Sequence, residues 1–513
     1  MVRRALIAFA VAVAAVVVVA ALLLQSLGRG GLREGVESRL SAALGQPVSI
    51  GRLGMTLFPP GLTGSGVRIG DAEAEAPALD IARVRIVPRF RSLFGSDVVI
   101  ERLVLDGFVV SVLRDRSGAW HVPAVVPAPA AAGAGPAIAR VRIIDGRMRV
   151  FDRAADGALR EAASIDAIDA DVRVEEDGLR LAPITGRIGG AAIAGEAGSD
   201  ARSVRLDFSA GAIDDDDLPA FLRLVGGERP EFLKLASPAS VRVAIRVDRA
   251  TSRLTGDGVL QAPRVHLEPL ELERFEAPFT IEGSRLLFAP TAFGLSDGMH
   301  EGRVSVRLDA EPPRWSADSR VRGLDAGAFL DALSGGDQRL DGTALVTAAL
   351  GGRLGESLTQ SVAGRLRIEV DNGVIRGFPL LSSINRALGL AEQDGNDTRF
   401  ERLTATFATS SGRGATEDLV LEAGNVRLEA EGWIAADRSL SLRGLAVLSR
   451  ERTDRVVASI RELARLRRDG RLELPLTISG SLDAPSFGID VQGAIRRGLT
   501  DELRRRLRGI IRR

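Results

Sequence analysis

The sequence predicts a mainly β chain: an N-terminal transmembrane helix, then a long antiparallel sheet with one apolar face, a few short helices, and an amphipathic helix at the C-terminus. Three observations predict it. Residues Ala5 to Leu24 are twenty consecutive apolar residues. From Val48 onward apolar side chains recur at every second position, the period of a strand with one dry face. The 57 Gly and 22 Pro are spread through all 513 residues, which suits many tight turns better than a few long helices.

The run ALIAFAVAVAAVVVVAALLL, at 1.5 Å rise per residue, is long enough to cross a hydrocarbon core of about 30 Å. Arg3 and Arg4 precede it, which keeps the N-terminus in the cytoplasm and delivers the rest of the chain to the other side. It exceeds the roughly 7–15 residues of a signal-peptide core, and no A-x-A site stands just after Leu24. Residues 1–30 are therefore expected to be a cytoplasmic tip and an uncleaved anchor. In LREGVESRLSAALG (32–45), Leu32, Val36, Leu40 and Leu44 share one helical face and Gly45 is placed to stop the helix. That stripe suits either the membrane surface or, more simply, a cap on the core that follows.

The strands read clearly. Val84 and Ile86 share a face, as do Val204, Leu206 and Phe208; Val241, Val243, Ile245 and Val247; and Val304, Val306 and Leu308. Leu366 with Ile368, and Val426 with Leu428, repeat the pattern late in the chain, while Arg, Asp and Ser take the alternate positions. Antiparallel sheets with one dry and one wet face have this character. LVLDGFVVSVLRD (103–115), VRIIDGRMRVFD (141–152) and IEVDNGVIRGFPL (368–380) each read as strand, Asx-Gly hairpin turn, strand.

The Pro-, Ala- and Gly-rich stretch 122–137 reads as a loop or linker between neighbouring parts of the sheet. Short helices are expected in 214–225, 323–333, 378–390 and 454–468, the last with Val457, Ile460, Leu463 and Leu466 in register. The chain then divides into an N-terminal β region (31–155), a middle sheet (156–340), a C-terminal β region (341–492) and a tail helix (493–513).

Charge and chemistry narrow the function. With 68 basic and 67 acidic residues, no global field recruits nucleic acid. Lys234 is the single lysine and there is no tyrosine, a bias of base composition rather than of chemistry. Without cysteine there are no disulfides, thiolate metal sites or cysteine nucleophiles, which is compatible with an oxidising compartment. His121, His266 and His300 are scattered and sit in no ligand-spaced cluster. Asp214–Asp217 lack the spaced ligands, glycine and distal glutamate of a calcium loop and suit a helix start. No nucleophile elbow or phosphate-binding glycine loop occurs, so neither enzyme nor cofactor is expected. In the tail, Ile495, Leu499, Leu503, Leu507 and Ile510 face one way. Arg496, Arg497, Arg504, Arg505, Arg506, Arg508, Arg512 and Arg513 make that helix strongly basic, suited to an anionic membrane surface or to capping the sheet.

The order of these features carries a family likeness. A spanning helix leads into VESRLSAALGQPVSIGRLGMTLFPPGLTGSGVRIGD (36–71), then VVIERLVLDGFVVSVLRDRSGAWHVPAVV (98–126) and IARVRIIDGRMRVFD (138–152). Together with GRLRIEVDNGVIRGFPLLSSINRALG and RLELPLTISGSLDAPSFGIDV near the other end, it resembles the AsmA family of envelope proteins. His121 stands where that family commonly has Asn after Gly-Trp. The resemblance implies a bacterial inner-membrane protein with a single spanning helix and its bulk in the periplasm. Its long sheet would curl into a trough with an apolar interior, a β-groove that would hold phospholipid acyl chains and support lipid transport to the outer membrane. On that expectation the groove is lined by Val204, Leu206, Phe208, Val241, Val243, Ile245, Val304, Val306, Leu308, Leu366, Ile368, Val426 and Leu428, and the tail arginines touch headgroups. The alternative is a scaffold or assembly factor for outer-membrane proteins, pairing a sheet edge with client strands by β-augmentation.

Overall fold

The computed structural model describes Glu37, Ser38, Ser41 and residues 46–489, apart from 58–59, 71–78, 90–99, 115–119, 122–139, 154–156, 176–177, 225–228, 335–338, 355–360, 391–394 and positions 201, 249, 252, 311 and 483. The anchor run 5–24 and the tail 494–513 lie outside the described residues. The chain is mainly β and forms two compact units, Met1–Pro263 with Thr280–Gly283, and Arg264–Phe279 with Ser284–Arg513.

In the first unit β1 (Val48–Leu57), β2 (Pro60–Ile69), β3 (Leu79–Pro88) and β4 (Ile100–Arg114) form an antiparallel meander. β5 (Trp120–His121) pairs with the end of β4, and β6 (Arg140–Arg153) lies parallel to β4. Antiparallel order resumes through β7 (Leu159–Glu175), β8 (Gly178–Ile188), β9 (Ala191–Ser199) and β10 (Ser203–Ile213). Helix α1 (Leu218–Leu224) and β11 (Leu233–Leu235) intervene before β12 (Ala239–Asp248) and β13 (Leu254–Leu267).

The second unit holds most of β14 (Leu270–Glu282), then β15 (Arg285–Leu295), β16 (Gly298–Arg307), β17 (Arg314–Asp325), α2 (Ala326–Ser334), β18 (Leu340–Arg353) and β19 (Ala363–Ile375). It continues with α3 (Leu380–Ala387), β20 (Thr398–Ser410), β21 (Arg413–Ala423), β22 (Val426–Ala435) and β23 (Ser439–Leu448). After α4 (Arg450–Ser459) and a 3-10 turn (Arg461–Leu466) come β24 (Arg467–Arg468), β25 (Arg471–Ser481) and β26 (Ala484–Ile489). From β15 to β23 each strand pairs antiparallel with the next, and β25 and β26 extend the row. Among the described strands no pairing closes either unit into a barrel. The sequence-derived boundary at 340/341 falls inside β18.

Two expectations are corrected. The sheet is not wholly antiparallel, because β4 and β6 run side by side from Leu103↔Val141 to Arg114↔Asp152. A parallel pair needs a return crossover of a dozen residues or more, and residues 115–139, which include the Pro/Ala/Gly stretch, are long enough to make it.

The three Asx-Gly pairs are not hairpin turns. β4, β6 and β19 run straight through them, and each pairs with neighbours along its length. The left-handed backbone that Gly, Asn and Asp tolerate is used within the strand: φ is +66° at Gly107, +49° at Asp145 and +53° at Asn372. In β6 and β19 they are bulges, which add a residue, bend the strand and increase its twist. In β4 the register to β3 and β6 runs unbroken across Gly107, so the left-handed residue rotates the strand without adding one. Their effect on side-chain phase is visible in the burial. Leu103 and Leu105 are buried before Asp106-Gly107, and Phe108, Val110 and Val112 after it. In β6 the phase switches likewise from Val141 and Ile143 to Met148 and Val150. Without the left-handed residue, the second half of each strand would turn its apolar side chains to solvent.

The helices are shorter than the periodicity predicts. The helix expected over 454–468 starts earlier, at Arg450, capped by Ser449 Oγ accepting from the Arg452 N–H, and breaks at Ile460, whose backbone is extended (φ −134°, ψ 88°). Upstream of β1, Glu37, Ser38 and Ser41 are helical. The Ser41 hydroxyl donates to the Glu37 carbonyl and accepts from the Val48 N–H (2.9 Å), and the Glu37 carboxylate accepts from the Ile50 N–H (2.7 Å). These bonds tie the segment to the first strand; the stripe Leu32, Val36, Leu40 and Leu44, on which the expected cap rests, lies outside the described residues.

Candidate functional site

The dry faces of the two units differ in how fully they are covered. In the first unit, one cluster runs from Val48 in β1 to Ile184 in β8, and Ile50, Ile69, Leu79, Leu103, Phe108 and Ile143 in it are completely buried. Fully burying each such side chain stabilises by about 1.5–3 kcal/mol, so this is a core filled everywhere but at its β6–β8 edge.

The filling stops around β9. Across β9, β10, β12 and β13, Val204 faces Val247, Leu206 faces Ile245, Phe208 faces Val243, and Ala210 faces Val241. The predicted residues of β10 and β12 therefore form one patch. Val204, Leu206 and Ile245 are buried, while Phe208, Val241 and Val243 are half-buried. At its margin a cavity of about 80 Å³ is lined by Met148, Ile165, Ile168, Leu181, Ile184, Thr185, Ile193, Ala197, Gly198, Ser199, Val204, Leu206 and Phe208. The β9–β10 turn beside it is pinned by Asp200, which accepts from the N–H groups of Arg202 (2.8 Å) and Ser203 (2.6 Å). Those bonds favour the carboxylate and hold its pKa at about 2.

In the second unit the apolar rows stay half-exposed. Val306 lies between Leu286 and Trp315, and Val304 between Phe288 and Ala317. Further along, Val346 faces Ile368, Ala348 faces Leu366, and Leu366 faces Phe407. Val304, Val306, Trp315, Val346, Leu350, Leu366, Ile368 and Phe407 are all only half-buried. The opposite face is polar: Arg303–Asp318 (2.7 Å), Arg322–Glu301 (3.2 Å), Arg376–Asp341 (2.5 Å) and Arg402–Asp371 (3.0 Å) pair across or along strands. Exposed pairs of this kind are worth about 0–1 kcal/mol each, so they mark the wetted side more than they stabilise the fold. The inward rows carry no such charges.

Not every sequence candidate belongs to this face. Leu308 lies beyond the end of β16 and is 47% exposed. Val426 and Leu428 are 2% exposed, within a packed C-terminal core that also contains Leu421, Ala446, Leu448, Leu472 and Leu474. That end carries α3 and α4, joined by the Arg452 guanidinium donating to Asn385 Oδ1 (2.6 Å), and α4 meets β25 where the Leu472 N–H donates to Thr453 Oγ1 (2.9 Å). The tail arginines 496, 497, 504, 505, 506 and 508 fall outside the described residues. Sequence reading missed Phe288, Trp315, Val346, Leu350 and Phe407; their two-residue spacing was the available signal, interrupted by Ala, Ser and Gly.

His300 and the aspartates at 214–217 make contacts within the fold. His300 is 4% exposed and stacks on Phe293 (centroids 3.9 Å apart), and burial pushes its pKa down against a backbone hydrogen bond to Thr291. Of the aspartates at 214–217, Asp217 accepts from the Gly190 N–H (2.6 Å), and Asp215 accepts from the Leu235 N–H (2.7 Å) and pairs with Arg229 (2.9 Å). Their side chains tie loops together rather than sit in the helix's first turn, which is free of acidic residues. Among the described residues no His, Asp or Glu cluster could hold a metal, and no helix is long and apolar enough to cross a membrane.

No protein-family model matches this chain. No curated protein is significantly similar to it. Function must accordingly be argued from the face itself.

Proposed function

We propose that this protein is a membrane-anchored carrier of phospholipid in a bacterial envelope, of the AsmA type, whose sheet forms a trough with acyl chains against its dry face. The observation that carries this reading is the set of half-exposed apolar rows from β15 to β20. A soluble sheet does not leave Val, Leu, Ile, Phe and Trp side chains aligned and partly wet over several strands without something to cover them. The rows lack charges and ligand-spaced polar groups, so the complementary ligand is an extended apolar one. The run Ala5–Leu24 supplies the anchor, Arg3 and Arg4 orient it, and the periplasm receives the rest.

The test is direct. The full chain, purified into a polymer free of detergent, is extracted and its lipids identified and counted by mass spectrometry. Phospholipid at a fixed ratio to protein is expected. A chain that is folded yet carries no lipid, and acquires none from vesicles, overturns the proposal.

A further inference from the structure

The cavity between β6 and β10 adds a specific element to that reading, on which it rests. One side of it is the filled core: Ile143, Val150 and Val172 are at most 1% exposed, and Phe108 beyond them is fully buried. The other side is the half-buried margin formed by Ile165, Ala197 and Phe208. Gly195 lets β9 lie close against β10 here, for a Cβ on it would run into the Asp207 carbonyl and stand 2.7 Å from the Phe208 ring. Eleven of the thirteen lining residues offer no polar side-chain atom, Thr185 and Ser199 being the exceptions. An apolar cavity of this kind stays dry and accepts apolar groups. At about 80 Å³ it is roughly half the ~150 Å³ that admits benzene, so it has room for a few methylenes and not for a whole lipid.

We propose that this cavity seats the methyl end of one acyl chain, and that the packed side chains from β1 to β6 are the stop against which the chain ends. Lipid then enters the first unit's sheet across the open margin at β10 and β12. It does not thread past β1 to β6 from the anchored end. Chain length becomes a property the protein senses: a chain that reaches the stop gains every available contact, and a longer one must buckle or leave its headgroup displaced.

Displacement of a fluorescent fatty acid from the full chain by saturated fatty acids of ten to twenty carbons tests this. Along an open groove, affinity climbs about fourfold for each added methylene. With a stop, it climbs and then reaches a maximum. Ala197→Phe, which fills the cavity from a half-buried position, should move the maximum to shorter chains, and Ile193→Ala, which enlarges it, to longer ones. Circular dichroism confirms that each variant is folded, and two opposed shifts cannot arise from a general loss of stability. A monotonic climb through twenty carbons, or a maximum that neither substitution moves, overturns the seat and the stop while leaving the carrier intact. No displacement by any chain length overturns both.

Discussion

Val306→Asp separates a ligand-bearing face from an ordinary core. Val306 is half-buried between Leu286 and Trp315, so replacing it loses about half of the ~1.5–3 kcal/mol that full burial of a valine is worth, roughly 1 kcal/mol. The new carboxylate keeps part of its water and avoids the penalty of an enclosed charge. Against a domain stability of about 5–15 kcal/mol the fold survives.

Leu105→Asp is the contrast. Leu105 is fully buried, truncation of such a leucine alone costs about 2–5 kcal/mol, and an unpaired interior charge adds several more. That variant should unfold. Val306→Asp, by contrast, should lose lipid while it stays folded. A carboxylate at 306 strips about two methylenes of contact, at ~0.8 kcal/mol each, and is itself partly desolvated by about 1–3 kcal/mol. The total of about 3 kcal/mol weakens binding roughly 100-fold. Thermal melts followed by circular dichroism, with phospholipid per chain by mass spectrometry, read both effects. A Val306→Asp protein that is folded and fully loaded refutes the assignment of β16 to the lipid face, and one that unfolds like Leu105→Asp refutes its openness.

Four further outcomes are expected. Deleting residues 1–30 should release the protein from membranes after a high-salt wash; a fragment that still pellets refutes a single anchor. Because burial lowers the pKa of His300, the unfolded chain takes up its proton first. Stability should therefore fall as pH drops below about 6.5 and level off once the buried ring titrates, and His300→Phe should flatten that limb in urea melts at a series of pH values. Gly373→Ala places a Cβ into the Phe400 ring and the Asp341 carbonyl, and should lower stability by about 1–3 kcal/mol in the same melts, more than Gly211→Ala, where nothing lies within 4 Å and φ is not positive. With the anchor removed, flotation with anionic vesicles should be lost at high salt or on deleting residues 494–513; flotation indifferent to the tail leaves it no role at the membrane.

Much of the fold was legible because a two-residue period survives in any sheet with one dry face, whatever covers that face. The same fact explains what was not legible. Leu428, sealed in the C-terminal core, and Leu366, half-exposed, occupy indistinguishable patterns in sequence. The difference lies in their neighbours. The filled strand β4 presents Leu103, Leu105, Phe108, Val110 and Val112 inward, whereas β17 and β18 interleave Ala317, Ser319, Ala344, Ala348 and Gly352 with larger residues and cannot fill the same volume. The Asx-Gly pairs were misread as hairpins because composition favours both outcomes. The change of apolar phase across them, from odd to even positions in β4, was the sign of a left-handed residue inside a continuing strand. The parallel β4–β6 pair was hidden because pairing partners leave no local trace, although the long linker between them was conspicuous.

Ser41 and Glu37 have a consequence for association between molecules. An unpaired strand edge is a template on which another chain can crystallise, strand by strand, through its backbone alone. At the start of this sheet the N–H groups of Val48 and Ile50 are already claimed by those two side chains. A foreign strand arriving at β1 must evict both and surrender two hydrogen bonds for whatever it gains. Templated growth is discouraged there by local competition, so many copies of a strand-rich protein can lie near one another without their first strands joining.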